Sequence, residues 1–598
     1  MQVIATAGHV DHGKSTLVRA LTGMQPDRWA QEQRRGLTIG LGFVWTELPG
    51  GRTVAFVDVP GHERFVGTML AGVGPVPAVL FVVAADEGWM PQSAEHLDAL
   101  AALGTEHGLL VITRSDLASP EQAMREAQHQ LAGTSLAGLT PVCVSATSGM
   151  GMAELRAELA ALCDRLPSPD PAADVRLWVD RVFTVRGAGT VVTGTLPAGQ
   201  LSADDQVILR PSGQPVTVRG LQALGQPVTR ATGVARVAVN LRGATTGSVH
   251  RGDALVTPDR WLPTGVLDVR LHPVRADQPP GGLVEQLVLH IGAAAVPVRV
   301  RPLGPDTARL TLRGPLPLRI GDRALLRDPG GHRIVAGLTV LDVAPPELSR
   351  RGDSARRAAR LAVFTGVPDA AAEVARRGVV QRQQLIAMGA DPATLGDEVL
   401  TAGEWLLHAD RAALLAKQLV AVATEHAGAN PLEPGLPLGA ARRTLELADN
   451  RLVELVVRAA PGRLVLRAGR VLRAETAGHD LPTKLREALG AVRQELTAQP
   501  FAAPSANRLA ELGLGRKELA ALVRAGELEH IGGGIYLLPG AEQAAVRVLA
   551  ELGTPEFTLS AAREALGTTR RVAMPLLELL ARRGRTSRTE DGGHRLIR

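Results

Sequence analysis

The strongest constraint on this chain lies within its first sixteen residues. Val3 to Ala7 is a short apolar run that reads as a buried strand. It leads straight into Gly8-His-Val-Asp-His-Gly13-Lys14-Ser15-Thr16. Two glycines around four residues, then lysine and a hydroxyl residue, have the spacing of a phosphate-cradling loop. The glycines let the backbone turn its N–H groups toward phosphate oxygens. Lys14 supplies a point charge near the β- and γ-phosphates, and the Ser15 hydroxyl can ligate Mg²⁺. Thr16 to Leu21 reads as a helix whose N-terminus adds partial positive charge. Gly8, His9, Val10, Asp11, His12, Gly13, Lys14, Ser15 and Thr16 are therefore the expected phosphate contacts. Strand, glycine loop and helix in this order predict an open α/β sheet that binds its ligand at the carboxyl ends of the strands.

Four later stations follow in the order such a sheet requires. Thr38, in Arg-Arg-Gly-Leu-Thr-Ile, is placed to complete a Mg²⁺ shell when a γ-phosphate is present. Asp58-Val-Pro-Gly61 follows an alternating strand, Thr53 to Val57. Asp58 can hold a Mg²⁺-bound water, and the Gly61 N–H can meet the γ-phosphate. Thr113-Arg114-Ser-Asp116 follows the apolar run Leu109 to Ile112. Asp116 can accept two hydrogen bonds from a guanine edge, which selects guanine over adenine. Ser145-Ala146 follows Pro141 to Val144 and can close over the base. Together these predict a Mg²⁺-dependent, GTP-hydrolysing α/β domain over residues 1–170. GTPases normally carry Asn-Lys-x-Asp at the third of these stations. Thr113 and Arg114 replace the first two residues, and the shorter threonine predicts a looser link to the phosphate loop.

A chain of 598 residues exceeds what one core usually supports, so several domains are expected. An apolar fraction of 45% excludes a mostly disordered chain. No apolar run is long enough to span a bilayer, and MQVIATAGHV lacks a basic leader region. Cys143 and Cys163 cannot form a disulfide framework and read as buried thiols. These features predict a soluble, cytoplasmic monomer with no membrane partner. Aromatic residues make up 3%, too few for base stacking on many aromatic platforms.

Gly61-His62-Glu-Arg-Phe, followed by Leu80 to His96 with Asp86-Glu-Gly-Trp-Met-Pro-Gln-Ser-Ala-Glu-His96, resembles the translational GTPases of the elongation factor Tu type. The resemblance implies that His62 orients the attacking water when a ribosome engages. It also implies that Val10 and Ile39 form the apolar gate around that histidine. Asp180-Arg-Val-Phe-Thr-Val-Arg-Gly-Ala-Gly-Thr-Val-Val-Thr-Gly194 resembles the opening of the family's second, β-barrel domain. A Pro-rich stretch, Pro167 to Pro171, reads as the linker before it. Short β-like segments such as Gln206 to Leu209 and Ala235 to Leu241 continue to about Val343 and predict two barrels. Asp180-Arg181 stands where elongation factor Tu has Glu-Asp, and Arg236 stands where it has an asparagine near the esterified amino acid. These substitutions resemble the selenocysteine-specific elongation factors (SelB). A selenol is ionised at neutral pH and a serine hydroxyl is not. The resemblance therefore implies an aminoacyl pocket of Asp180, Arg181 and Arg236 that holds a selenolate and rejects seryl-tRNA.

After Pro345-Pro346, Ala-, Leu- and Arg-rich helical patterns alternate with short β-like pieces, at Trp405 to His408, Arg463 to Leu466, Glu529 to Leu537 and His594 to Ile597. Leu509 to Leu537 is the clearest unit: two helices, then a two-stranded wing with Gly532 to Gly534 at its tip. The expected layout is multidomain: an α/β P-loop GTPase domain (1–170), two β-barrels (174–260 and 261–345), then tandem winged-helix domains (347–415, 416–475, 481–540 and 541–598). Glu556 to Arg598 carries nine arginines against five acids, a difference of 9 − 5 = +4 in a chain whose net charge is +6. Arg570, Arg571, Arg582, Arg583, Arg585 and Arg588 are its candidate RNA contacts. The resemblance implies GTP and Mg²⁺ as cofactors. It implies selenocysteinyl-tRNA, a messenger RNA hairpin beside a recoded UGA codon, and the ribosome as partners. The rival readings are an initiation factor γ-subunit, whose zinc-binding Cys cluster two cysteines cannot supply, the GTPase subunit of a sulfate-activating enzyme, and a GTP-switched winged-helix regulator.

Overall fold

The apolar runs that begin this chain are buried on both faces, and helices cover each of them. In the computed structural model, which describes residues 1–26, 38, 40–275, 283–331, 333–433, 435–476, 481–589 and 591–597, the first domain holds a six-stranded sheet. Its strands are β1 (Gln2–Ala7), β2 (Gly42–Leu48), β3 (Arg52–Asp58), β4 (Ala78–Ala84), β5 (His107–Thr113) and β6 (Thr140–Cys143), in the order β2-β3-β1-β4-β5-β6. Only β2 runs antiparallel to its neighbour. Strand β4 reads AVLFVVA and is buried at every position, as expected of a parallel strand covered on both faces. Its side chains alternate. Val79, Phe81 and Val83 join the core beneath α2 (Val66–Val73), α3 (Pro91–Leu103) and α4 (Pro120–Leu131). Leu80 and Val82 join the core beneath α1 (Lys14–Thr22) and α5 (Met152–Arg165). Pro91 starts α3 and Gly104, in the left-handed region, ends it. Cys163 is buried as expected, whereas Cys143 at the end of edge strand β6 is only half-buried.

An eight-stranded antiparallel sheet and a two-stranded ribbon follow, wrapped around Val192, Leu209, Val218, Val239 and Leu255. Along Ala235–Arg242 the odd positions Val237, Val239 and Leu241 enter that core. Arg236, Ala238, Asn240 and Arg242 therefore share the other face. Next comes a closed six-stranded barrel, in the order Leu262–His272, Thr307–Leu318, Ala294–Pro302, Gln286–Ile291, Arg323–Arg327, Ile334–Asp342. Helix Asp353–Leu361 docks on it through buried Arg357, which donates to Asp268 at 2.6 Å and Asp342 at 2.5 Å. Arg309 completes the cluster with bonds of 2.7 and 3.0 Å to Asp268. Burial of these charges is sustainable because each is paired.

The chain divides into two compact units, 1–373 with 381–395, and 374–380 with 396–598. Four helical modules, each closed by a short antiparallel hairpin, make up the C-terminal third. The hairpins are Val399–Ala402 with Trp405–His408, Leu464–Arg467 with Arg470–Arg473, Glu529–Gly532 with Ile535–Leu537, and Thr586–Arg588 with His594–Leu596. The last two modules share a core that includes Leu489, Leu522, Ile535, Leu576 and Leu580. In the last, helix Arg570–Arg582 leads into the wing, and the glycine-tipped wing of the third lies at 532–534, as the sequence suggests. No helix of the described residues is long and apolar enough to cross a membrane.

Candidate functional site

The phosphate loop is fixed by two glycines and by the helix beside it. Gly8 has φ +128°, and a Cβ there would lie 2.1 Å from the Val82 carbonyl oxygen, so no other residue fits. Gly13, at φ +81°, starts α1. The Gly8 N–H donates to His96 Nδ1 at 3.0 Å, and the Val10 N–H donates to Gln92 Oε1 at 3.1 Å, both from α3. Lys14 is buried, and its Nζ donates to the carbonyls of Gly8 (3.0 Å) and His9 (2.5 Å). Burial pushes its pKa down to about 8, against the pull of Asp58 and Asp11.

Three oxygens meet in front of Lys14. Ser15 Oγ donates to Asp58 Oδ2 at 2.6 Å and lies 3.0 Å from Thr38 Oγ1. Thr6 Oγ1 orients the same carboxylate, donating to Asp58 Oδ1 at 2.8 Å and accepting from the Val59 N–H at 3.1 Å. A carboxylate and two hydroxyls form a hard oxygen donor set of the kind Mg²⁺ takes alongside waters and substrate phosphates. The residues present fit that ion.

At the other end, Thr113 Oγ1 donates to the His12 carbonyl at 2.7 Å. The link to the phosphate loop that was expected to be loose is made in full, because β5 brings Thr113 directly beneath the loop. Arg114, at φ +55°, crosses from the Asp11 carbonyl to Asp86 (3.0 Å) and Glu87 (2.7 Å). A cleft of about 470 Å³ runs between the two ends. Val10, Asp11, Gly13, Lys14, Ser15, Thr16, Thr38 and Gly61 line its phosphate end. Thr113, Arg114, Asp116, Ser145 and Ala146 line its base end. Gly8, His9, His12 and Asp58 support these walls without lining the cleft. His62 also lies outside the lining, half-buried, accepting from the Arg64 N–H at 3.2 Å with its ring 6.1 Å from Phe65. Ile39, the second member of the expected gate, lies outside the described residues.

A second pocket, of about 210 Å³, opens where the eight-stranded sheet meets β2. Arg236 and Asp180 form a buried two-pronged pair at its base, one bond being 2.8 Å, and Thr193 Oγ1 also donates to Asp180 at 2.8 Å. Arg181 reaches across to the Leu41 carbonyl. Trp45 and Phe183 supply apolar walls. Of the three residues singled out in the sequence, Arg181 and Arg236 line this pocket, and Asp180 lies behind it, held to Arg236. Arg236 does not point outward on its strand, and its charge is balanced by Asp180.

The six arginines of the last module fall into two groups. Arg571 caps the carbonyls of Ala503 (3.0 Å) and Pro504 (3.1 Å), while Arg583 and Arg585 converge on buried Glu542. Arg571, and Arg583 through a further pair with Glu529 at 3.3 Å, tie the module to the one before it, while Arg585 is held within the module. Arg570, Arg582 and Arg588 are exposed, and among the described residues no carboxylate pairs with them. Sequence pattern alone could not separate the groups, because the acids involved lie some 40 residues away.

Sequence reasoning quoted Gln92 and His96 within a motif but gave them no role, and it missed Thr6 and Trp45. His96 must be neutral to accept from Gly8, and burial with Lys14 and His9 nearby pushes its pKa down to about 3. Burial likewise pushes His12 to about 4. Both lie below the unfolded value of about 6.5, so the unfolded chain binds more protons below that pH and stability falls with acidification. At pH 5 each costs about 2 kcal/mol. The thermal midpoint of the first unit should therefore drop between pH 7 and 5. His96→Asn, which can accept the same bond without titrating, should flatten the slope. An unaltered slope would contradict this.

Comparison with known proteins accords with this geometry. Residues 1–167 match the family described as elongation factor Tu GTP binding domain. Residues 276–347 match the selenocysteine-specific elongation factor beta-barrel domain, and 547–595 the elongation factor SelB winged helix. A selenocysteine-specific elongation factor of Escherichia coli (strain K12) is 34% identical over 470 residues, covering 76% of this chain and 75% of that protein. One from Desulfomicrobium baculatum is 38% identical over 376 residues, 61% of this chain and 59% of that protein, so the match spans about three-fifths of that relative. The crystal structure of a bacterial selenocysteine-specific elongation factor superposes over 100% of both chains with a TM-score of 0.76 at 24% identity, a likeness of fold.

Proposed function

Because this chain belongs to the selenocysteine-specific elongation factors, translational GTPases of the elongation factor Tu type, we propose that it binds GTP and selenocysteinyl-tRNA and delivers that tRNA to the ribosome. Delivery occurs at a UGA codon marked by a messenger RNA hairpin, and GTP hydrolysis on engagement releases the tRNA. The observation that carries this reading is the short path between the two pockets. Arg181 binds the carbonyl of Leu41, three residues from Thr38, whose hydroxyl lies 3.0 Å from Ser15. A γ-phosphate that repositions Thr38 acts on the segment that walls the amino-acid pocket, so cargo and nucleotide state are coupled through one strand entry.

In this reading Gly8 to Thr16 cradle the phosphates, Gly61 meets the γ-phosphate, and Asp116 with Ser145 and Ala146 hold guanine. Ser15, Thr38 and Asp58 hold Mg²⁺, which when bound neutralises phosphate charge. His62, gated by Val10 and Ile39, orients the attacking water. Asp180 fixes the orientation of Arg236, and Arg181 brings a second guanidinium, so the pocket favours a selenolate over a neutral hydroxyl. Four winged-helix modules end in Arg570, Arg582 and Arg588, the arginines best placed for a hairpin's backbone, loop or bulged bases. The expected 415/416 boundary between the first two falls inside the continuous helix Ala409–Ala429, so the second module begins before it. His62→Ala should lower ribosome-stimulated hydrolysis roughly 10²- to 10⁴-fold while GTP affinity stays within about threefold. Stimulated hydrolysis at the unaltered rate would remove His62 from the chemistry.

A further inference from the structure

The helix that follows His62 is gripped by a side chain from the eight-stranded sheet. The Phe65 N–H donates to the His62 carbonyl at 2.9 Å. The tight turn Glu63–Phe65 therefore starts on His62, and it runs without a break into α2 (Val66–Val73). One face of α2 is buried in the core of the first domain through Val66, Met69, Leu70 and Val73. Arg251 meets the first turn of α2. Its Nη2 donates to the Gly67 carbonyl at 2.7 Å, and its Nη1 donates to Thr68 Oγ1 at 3.1 Å. A planar fork with two donors fixes both the position and the direction of that turn.

Arg251 itself sits on a braced turn at the entry to strand Ala254–Val256. The Asp253 N–H closes the turn on the His250 carbonyl at 3.1 Å, and the Asp253 carboxylate accepts from the His250 N–H at 2.8 Å. The Gly252 N–H donates to the Val179 carbonyl, and the Val179 N–H donates to the Asp253 carbonyl, both at 2.8 Å. Gly252 has φ +92°, and a Cβ there would lie 3.2 Å from Ala294 Cα, so the turn also rests on the closed barrel. Val179 directly precedes Asp180, the carboxylate that holds Arg236, and Asp180 attracts the Arg251 guanidinium as well. Backbone bonds therefore lead from the amino-acid pocket to Arg251, and Arg251 leads to the helical turn that begins on His62. This path is separate from the one through Arg181, Leu41 and Thr38, which reaches the nucleotide. We propose that Arg251 is a positioning residue for His62, through which the domain that carries the amino acid sets the rate of GTP hydrolysis. This role rests on the reading of His62 as the group that orients the attacking water. Misplacing a reacting group by about 1 Å can cost roughly a hundredfold in rate, so a loosened helix start is enough to be seen.

The test uses the full chain, loaded with GTP and charged tRNA, on ribosomes. R251Q should lower kcat for ribosome-stimulated hydrolysis roughly tenfold, while KM for ribosomes and the affinity for GTP stay within about threefold. R251K keeps a charged donor for the Gly67 carbonyl and should recover a large part of the rate. In the H62A background R251Q should add no further loss, because residues that act as one unit are not additive. A thermal midpoint close to that of the wild type reports an intact fold. An unchanged kcat for R251Q, a raised KM or weaker tRNA binding with kcat unchanged, or the same fold loss in the H62A background would overturn the role of Arg251. Stimulated hydrolysis by H62A at the wild-type rate would instead overturn the reading of His62 on which that role rests.

Discussion

Lys14→Ala is expected to weaken GTP binding at least a hundredfold, as measured by equilibrium titration with a fluorescent guanine nucleotide. The ammonium group is buried at the base of the cleft and is held by two loop carbonyls, so it is already positioned where phosphate charge must be met. Charge-assisted bonds contribute about 1.5 to 3 kcal/mol each, and Lys14 is placed to reach two phosphates. Loss of both corresponds to two or more decades in affinity. The fold should survive, because removing the lysine also removes a buried charge that the structure holds at a cost, as its depressed pKa records. GTP binding within threefold of the wild type would refute the assignment of the loop.

The second large effect concerns Arg236. Arg236→Asn leaves Asp180 buried without its two-pronged partner; among the described residues Thr193 is the side chain still donating to it. Stranding a buried charge costs about 3 to 5 kcal/mol, so this variant should melt at a lower temperature. The double variant D180N/R236N removes both charges and should regain most of that stability. Neither variant should retain discrimination between selenocysteinyl- and seryl-tRNA, which is expected to fall by roughly 10- to 100-fold, the worth of one charge-assisted bond. Recovered stability together with recovered discrimination would place selenolate recognition elsewhere.

Much of the site was legible because phosphate chemistry imposes local patterns. Gly8, Gly13, Lys14 and Ser15 fall at fixed spacing on one strand–loop–helix turn. Asp58, Thr113 and Ser145 could be found because each ends or directly follows a strand of one parallel sheet. Long-range support was not legible. The bonds from His96 and Gln92 to the loop span more than 80 residues, and nothing in the helical pattern of Pro91–Leu103 distinguishes a side chain that faces the loop from one that faces the core. The pairing of Arg236 with Asp180, 56 residues apart, depends on the register of Ala235–Arg242 against Gly189–Leu196, which only the folded sheet fixes. The same holds in the tail, where the acid that captures Arg583 and Arg585 belongs to a different helix. Threonine at 113 misled for a local reason: the expectation rested on side-chain length, while the strand end supplies the missing reach.

The most direct measurement is a titration of the GTP-bound chain with two preparations of one tRNA, charged with selenocysteine or with serine. The account predicts binding of the selenocysteinyl form at least tenfold tighter, with that preference lost when GDP replaces GTP. Equal affinity for the two forms in the presence of GTP would contradict it.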